Sequence, residues 1–130
     1  MPREFRIGCE NMKDLKKRGV RVLPGGDYGF AWNPTAHDAR DLALMVEHMD
    51  FTPMEALVSI TKWGGELMMH PGELGLITEG ALADILVVDG DPLKDLAVLQ
   101  DPDNLRAIMK DGGFHKAPGP HAASVRQAAE

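Results

Sequence analysis

The sequence has a single cysteine, Cys9, which excludes any internal disulfide framework. A lone cysteine reads as a small, partly buried residue in a reducing compartment. No apolar run approaches the roughly 20 residues that a membrane span requires. The opening Met-Pro-Arg-Glu-Phe-Arg lacks the apolar segment of a secretory signal. These observations predict a cytoplasmic protein without membrane contact. An excess of basic residues is also missing: the formal net charge is -6. Nucleic-acid affinity comes largely from neutralising phosphates, so an acidic chain of this kind is not expected to bind nucleic acid. The densest basic run, Lys13, Lys16, Lys17 and Arg18, falls at the end of a predicted helix, where cations suit the helix dipole.

Several chemical signatures are absent as well. No pair of histidines has HxH or HExxH spacing, and there is no glycine-rich phosphate loop. Neither Ser59 nor Ser124 lies in a GxSxG elbow. Zinc needs three or four ligands, and His48, His70, His115 and His121 lie scattered on a helix edge, a loop, a strand and the tail. The methionines at 45, 49, 54, 68 and 69 read as core filler rather than as ligands.

What is present suffices for a packed domain: 44% of residues are hydrophobic and 26% charged. Glu10 to Arg18 read as a short helix closed by Gly19 at C′. Val20 to Leu23 read as a strand cut off by Pro24-Gly25-Gly26. Leu42, Met45, Val46 and Met49 fall on one face of a helix from about Asp38 to Met49. Thr52-Pro53-Met54-Glu55 is a capping box with proline at N1, opening a further helix. The glycines of Trp63-Gly64-Gly65 are expected to interrupt that helix, with one more turn over Glu66 to Met69. Beyond Gly72 the texture becomes β-like. Strands are predicted at 74–77, 84–88, 105–110 and 114–116, with a hairpin across Asp111-Gly112-Gly113 and a helical turn near 93–99.

Two residues are candidates for chemistry. Asp27 follows the strand at 20–23, at the carboxyl end where barrel enzymes carry their catalytic groups. A carboxylate there is a hard metal ligand and a possible general base, but an aspartate after glycines is also an ordinary turn residue. His37, just before a helix, is a substrate contact, an assistant at a metal site or a plain loop histidine.

The residue strings carry more than these groups do singly. Gly19-Val-Arg-Val-Leu-Pro-Gly-Gly-Asp27 resembles the last barrel strand of the amidohydrolase superfamily, with Gly26 standing where many members have threonine or serine. His37-Asp-Ala-Arg-Asp-Leu42 resembles the start of the helix that follows. Phe51-Thr-Pro-Met-Glu-Ala-Leu57 with Thr61 is similar to the family's T-P-x-E-A-L-x-x-x-T helix. Leu74-Gly-Leu-Ile-Thr-Glu-Gly80, Ala83-Asp-Ile-Leu-Val-Val-Asp-Gly-Asp-Pro92 and Ile108-Met-Lys-Asp-Gly112 resemble its closing strands. Imidazolonepropionase-like amidohydrolases are the most similar in style.

The resemblance implies an α/β fold: the C-terminal part of a (β/α)₈ TIM barrel followed by part of a small β-sandwich. It implies that residues 1–63 hold the last barrel units, that 64–116 hold the sandwich strands, and that 117–130 form a disordered tail. It further implies hydrolysis of C–N bonds in a small-molecule substrate with a divalent metal, zinc in most members. Asp27 would serve as metal ligand and proton carrier, and His37 more loosely as a substrate contact. The family's HxH strand, its lysine or glutamate and its further histidines have no counterpart here, and a barrel takes on the order of 250 residues. The expectation is therefore a fragment, inactive alone, that needs an N-terminal barrel half or else self-associates. The alternative is a non-catalytic interaction module derived from such an enzyme.

Overall fold

The computed structural model describes residues 2–35 and 38–119. It contains four α-helices, a 3-10 turn and three strands in the order α1 (Arg3–Lys17), α2 (Asp38–His48), α3 (Pro53–Ile60), α4 (Lys62–Leu67), β1 (Ile85–Val88), the 3-10 turn (Leu96–Gln100), β2 (Leu105–Lys110) and β3 (Gly113–Lys116). None of these helices is long and apolar enough to cross a membrane.

Helix α1 starts seven residues before the helix expected from Glu10. Its inner face is Phe5, Cys9, Met12 and Lys16, spaced one turn apart, and only Cys9 is fully buried. The apolar signal in its first half is thin, which is why periodicity alone begins the helix too late. Its end follows expectation. The amide of Val20 donates to the Leu15 carbonyl at 3.0 Å and that of Gly19 to the Lys16 carbonyl at 2.9 Å, the paired bonds of a Schellman motif.

The strand expected at 20–23 does not form: residues 20–28 carry neither helix nor strand. A strand exists only through its ladder, and nothing among the described residues pairs with this segment. It lies instead along the helices. Val22 packs against the core and Arg21 forms an ion pair with Glu66 on α4.

Helix α3 opens as its sequence predicts. The Thr52 hydroxyl accepts from the Glu55 amide at 3.2 Å, and the Glu55 carboxylate accepts from the Thr52 amide at 2.8 Å. Helix α4 runs through Gly64 and Gly65 rather than breaking there. Gly65 is needed for contact: a Cβ on it would lie 2.3 Å from the Leu74 carbonyl oxygen. The expected strand at 74–77 is likewise absent, because Gly75 turns at φ +74 with its own Cβ position 2.0 Å from the Thr61 carbonyl oxygen. That crossing of two backbones bends the chain where a strand would have to run straight.

The core joins the helices to the later segment. Leu42 and Met45 of α2, Phe51, Ala56 of α3 and Leu96 of the 3-10 turn form one buried cluster. Ser59 is fully buried beside it and satisfies its hydroxyl on the Ala56 carbonyl at 2.7 Å. The methionine stripe is mostly not core: Met45 is buried, whereas Met54, Met68 and Met69 are exposed.

The three strands make one antiparallel sheet in the order β1-β2-β3. Leu86 faces Ile108 and Val87 faces Ala107 across the first pair. The second pair is a tight hairpin in which Lys110 opposes Gly113, with Asp111 at φ 48 and Gly112 at φ 78. Positive φ at both loop residues is the type I′ geometry, which matches strand twist. Gly113 is thus the first residue of β3 rather than part of the turn. The observed architecture is a helical layer, with the 3-10 turn packed on α2, and a separate three-stranded antiparallel sheet. The tail from 120 lies outside the described residues, and 117–119 carry no regular structure.

Candidate functional site

Asp27 sits in the loop between α1 and α2, exposed, with a left-handed backbone at φ 52. Aspartate tolerates that region better than most residues because its short polar side chain bonds locally. Since residues 20–23 form no strand, Asp27 does not stand at the end of a ladder in this chain. His37 lies outside the described residues.

The loop around Asp27 is held by side chains from both sides. The Asn33 amide donates to the Gly26 carbonyl, one peptide before Asp27. Arg40, in the first turn of α2, donates from Nη2 to the Asn33 Oδ1 at 3.1 Å. The Gly29 amide donates to the Asn33 carbonyl at 3.0 Å, and the Asn33 amide to the Phe30 carbonyl at 3.0 Å. Phe30 and Trp32 stack with centroids 5.0 Å apart. Gly26 cannot carry a side chain without moving the Tyr28 ring, which would lie 2.7 Å from its Cβ.

Tyr28 follows Asp27 and bonds to Asp41 of α2. Burial pushes its phenol up to about 12, helped by the hydrogen bond to Asp41 and by the charges of Asp41 and Asp38, and opposed by Arg40. Sequence reasoning placed Tyr28 and Asn33 in this loop but missed that they bond to Asp41 and Arg40 of α2. Their only signal was position: two polar residues in the loop facing two charges three and four residues past its end.

The described donor set does not fit a divalent metal. Among the described residues no three His, Cys, Asp or Glu side chains gather closely enough to hold one. Asp27 alone offers too few oxygens for any of the usual coordination geometries.

A separate groove of about 630 Å³ lies between α2, α3 and β1, lined by Leu42, Leu57, Ile60, Ile77, Ile85 and Leu86 among others. Asp27 is not among its lining residues.

Residues 3–114 match the model of the Amidohydrolase family. The chain belongs to that family. The ochratoxinase of Aspergillus niger is 31% identical over 105 residues, which cover 79% of this chain and 21% of that protein. Its crystal structure superposes with a TM-score of 0.72 at 27% identity, over 85% of this chain and 25% of the other. A Bifidobacterium longum protein assigned as a prolidase gives a TM-score of 0.76 at 26% identity, covering 94% of this chain and 30% of its own. A Xaa-Pro dipeptidase solved with methionine in its active site gives 0.72 at 27% identity, covering 84% and 25%. The chain thus spans about a fifth of the length of the curated relatives it matches. The family generally uses divalent metals.

Proposed function

We propose that this chain is the C-terminal portion of a metal-dependent hydrolase that cleaves C–N bonds. The substrates are small molecules of amide, cyclic amide, amidine or dipeptide type. The observation that carries the reading is the family match over residues 3–114. The names of the relatives, an ochratoxinase and a Xaa-Pro dipeptidase, point to the same range of substrates.

In the whole protein, residues 1–63 supply the last units of a (β/α)₈ barrel and 64–116 supply strands of a small β-sandwich. Val20 to Leu23 become a ladder strand once neighbours flank them, which puts Asp27 at its carboxyl end. Asp27 then contributes one ligand to a divalent metal, zinc in this reading, and His37 lies near the substrate. The remaining ligands come from the rest of the barrel, in the cytoplasm. By itself the chain is inactive, because one carboxylate sets neither the affinity nor the geometry of a catalytic metal. It needs the missing barrel half as partner, or else self-associates.

The test is metal analysis with an amide and dipeptide hydrolysis screen, run on this chain and on a version extended through the upstream barrel region. The expected result is zinc and turnover in the extended protein only, both lost in Asp27→Ala. Turnover by the isolated chain overturns the inactivity. An extended protein that binds no metal and hydrolyses nothing favours a non-catalytic interaction module instead.

A further inference from the structure

We propose that Asn33 and Arg40 are positioning residues for Asp27, acting as a latch from helix α2 to the peptide just before it. The proposal rests on the reading of Asp27 as a functional carboxylate, and it adds what holds that carboxylate's backbone.

The chain of contacts is short. Arg40 Nη2 donates to Asn33 Oδ1 at 3.1 Å, which fixes the orientation of the Asn33 amide. The amide's other end, Nδ2, then donates to the Gly26 carbonyl. Asparagine is suited to this place because one planar group both accepts and donates. Leucine lacks both functions, and aspartate keeps the acceptor but loses the donor. Asn33 is itself anchored by its backbone, which bonds to Gly29 and Phe30. Its amide therefore reaches back from a closed turn rather than from a free loop.

The Gly26 carbonyl belongs to the same peptide plane as the Asp27 amide. Holding that oxygen sets the orientation of the plane from which the φ of Asp27 is measured. Asp27 stands at φ 52, a conformation that is uncommon outside glycine and that aspartate reaches more readily than most residues, so a modest hold on the preceding peptide is enough to keep it there. Without the latch the peptide is free to rotate, and Asp27 relaxes toward negative φ and turns its carboxylate elsewhere. Arg40 adds a second property. It sits in the first turn of α2, so the latch transmits the position of that helix, whose Leu42 and Met45 are in the core, to the loop.

The test reads Asp27 directly in the labelled 130-residue chain. A residue at positive φ shows an intraresidue amide-to-Hα cross-peak much stronger than one at negative φ. The parent is expected to show the strong peak at Asp27. Asn33→Ala is expected to lose it, with the methyl signals of Leu42 and Met45 unmoved. Asn33→Asp, nearly isosteric, is expected to lose it too, and it carries the test if the alanine variant fails to fold. Arg40→Met is expected to weaken it and Arg40→Lys to restore it. A strong Asp27 peak that persists in Asn33→Asp with the fold intact, or an Arg40→Met variant that matches the parent, overturns the proposal. None of these readings uses turnover. Failure of the hydrolase reading would appear as inactivity of the extended protein, while failure of the latch would appear as indifference of Asp27 to Asn33.

Discussion

The Lys16 ammonium lies 2.9 Å from the Glu55 carboxylate, so the group that caps α3 also holds α1. Lys16 further reaches the Asp50 carbonyl and sits 4.4 Å from the centre of the Phe51 ring. One cation thus touches the cap, the loop before it and an aromatic of the core.

This arrangement predicts an acid-sensitive contribution to stability. The Thr52 amide, and after it Lys16, hold the Glu55 carboxyl down at about 2, against an ordinary value of 4.5. A lowered folded-state value means stability that is complete above the unfolded value and disappears as pH falls from 4.5 toward 2. Glu55→Gln should flatten that part of the stability curve in urea melts taken across the range. Glu55→Ala should cost about 1 kcal/mol at neutral pH, the usual worth of a cap. The partly exposed ion pair itself adds no more than about 1 kcal/mol.

Among the described residues, Leu42 is a large apolar side chain that is almost fully enclosed, at 2% exposure. Leu42→Ala should cost about 3 kcal/mol, from lost transfer energy plus the cavity. Urea midpoints compared with the parent at equal slope would measure it. A loss under about 1 kcal/mol would mean that the α2–α3 core collapses onto the gap.

Two glycines separate backbone strain from steric contact. Gly80 at φ +84 has nothing within 4 Å of its Cβ position, whereas Gly75 at φ +74 has the Thr61 carbonyl oxygen at 2.0 Å. Gly80→Ala should cost about 1 kcal/mol through conformation alone. Gly75→Ala should cost distinctly more, seen as a larger drop in melting temperature. Equal losses would show that the crossing at Thr61 yields easily.

Tyr28 is the only tyrosine, so its phenolate absorbance can be followed without overlap. It should titrate near 12 rather than at its ordinary value of 10. A raised folded-state value gives stability that is complete below the unfolded value and is lost as pH climbs from 10 through about 12. Asp41→Asn should bring the midpoint part of the way back, since burial, the larger cause, remains. An unchanged midpoint would remove Asp41 from the account.

The sequence is most informative where structure is decided locally. The Thr52–Glu55 box, the Gly19 helix end and the hairpin at Asp111–Gly112 each depend on a few adjacent residues, and each appears where its chemistry places it. Val20 to Leu23 has strand composition but no ladder, because pairing depends on residues far away in sequence or absent from it. Leu74 to Ile77 was misread because the close passage of Gly75 beneath Thr61 is a tertiary event. Asp27 stood out only through a family pattern. The side chains that hold its loop, Asn33, Arg40 and Asp41, follow no period, and their partnership emerges only when α2 folds back toward the loop. The methionines show the opposite error, since flexible apolar residues are equally at home on an open surface.

The paired close approaches at Gly65 with Leu74 and at Gly75 with Thr61 have a mechanical meaning. Where the chain passes from its helices toward its sheet, main chain rests on main chain, with no side chains between to act as a cushion. Such a joint has little play. Any opening or closing of the molecule would therefore pivot outside residues 61–75, and this crossing would travel as a rigid strut.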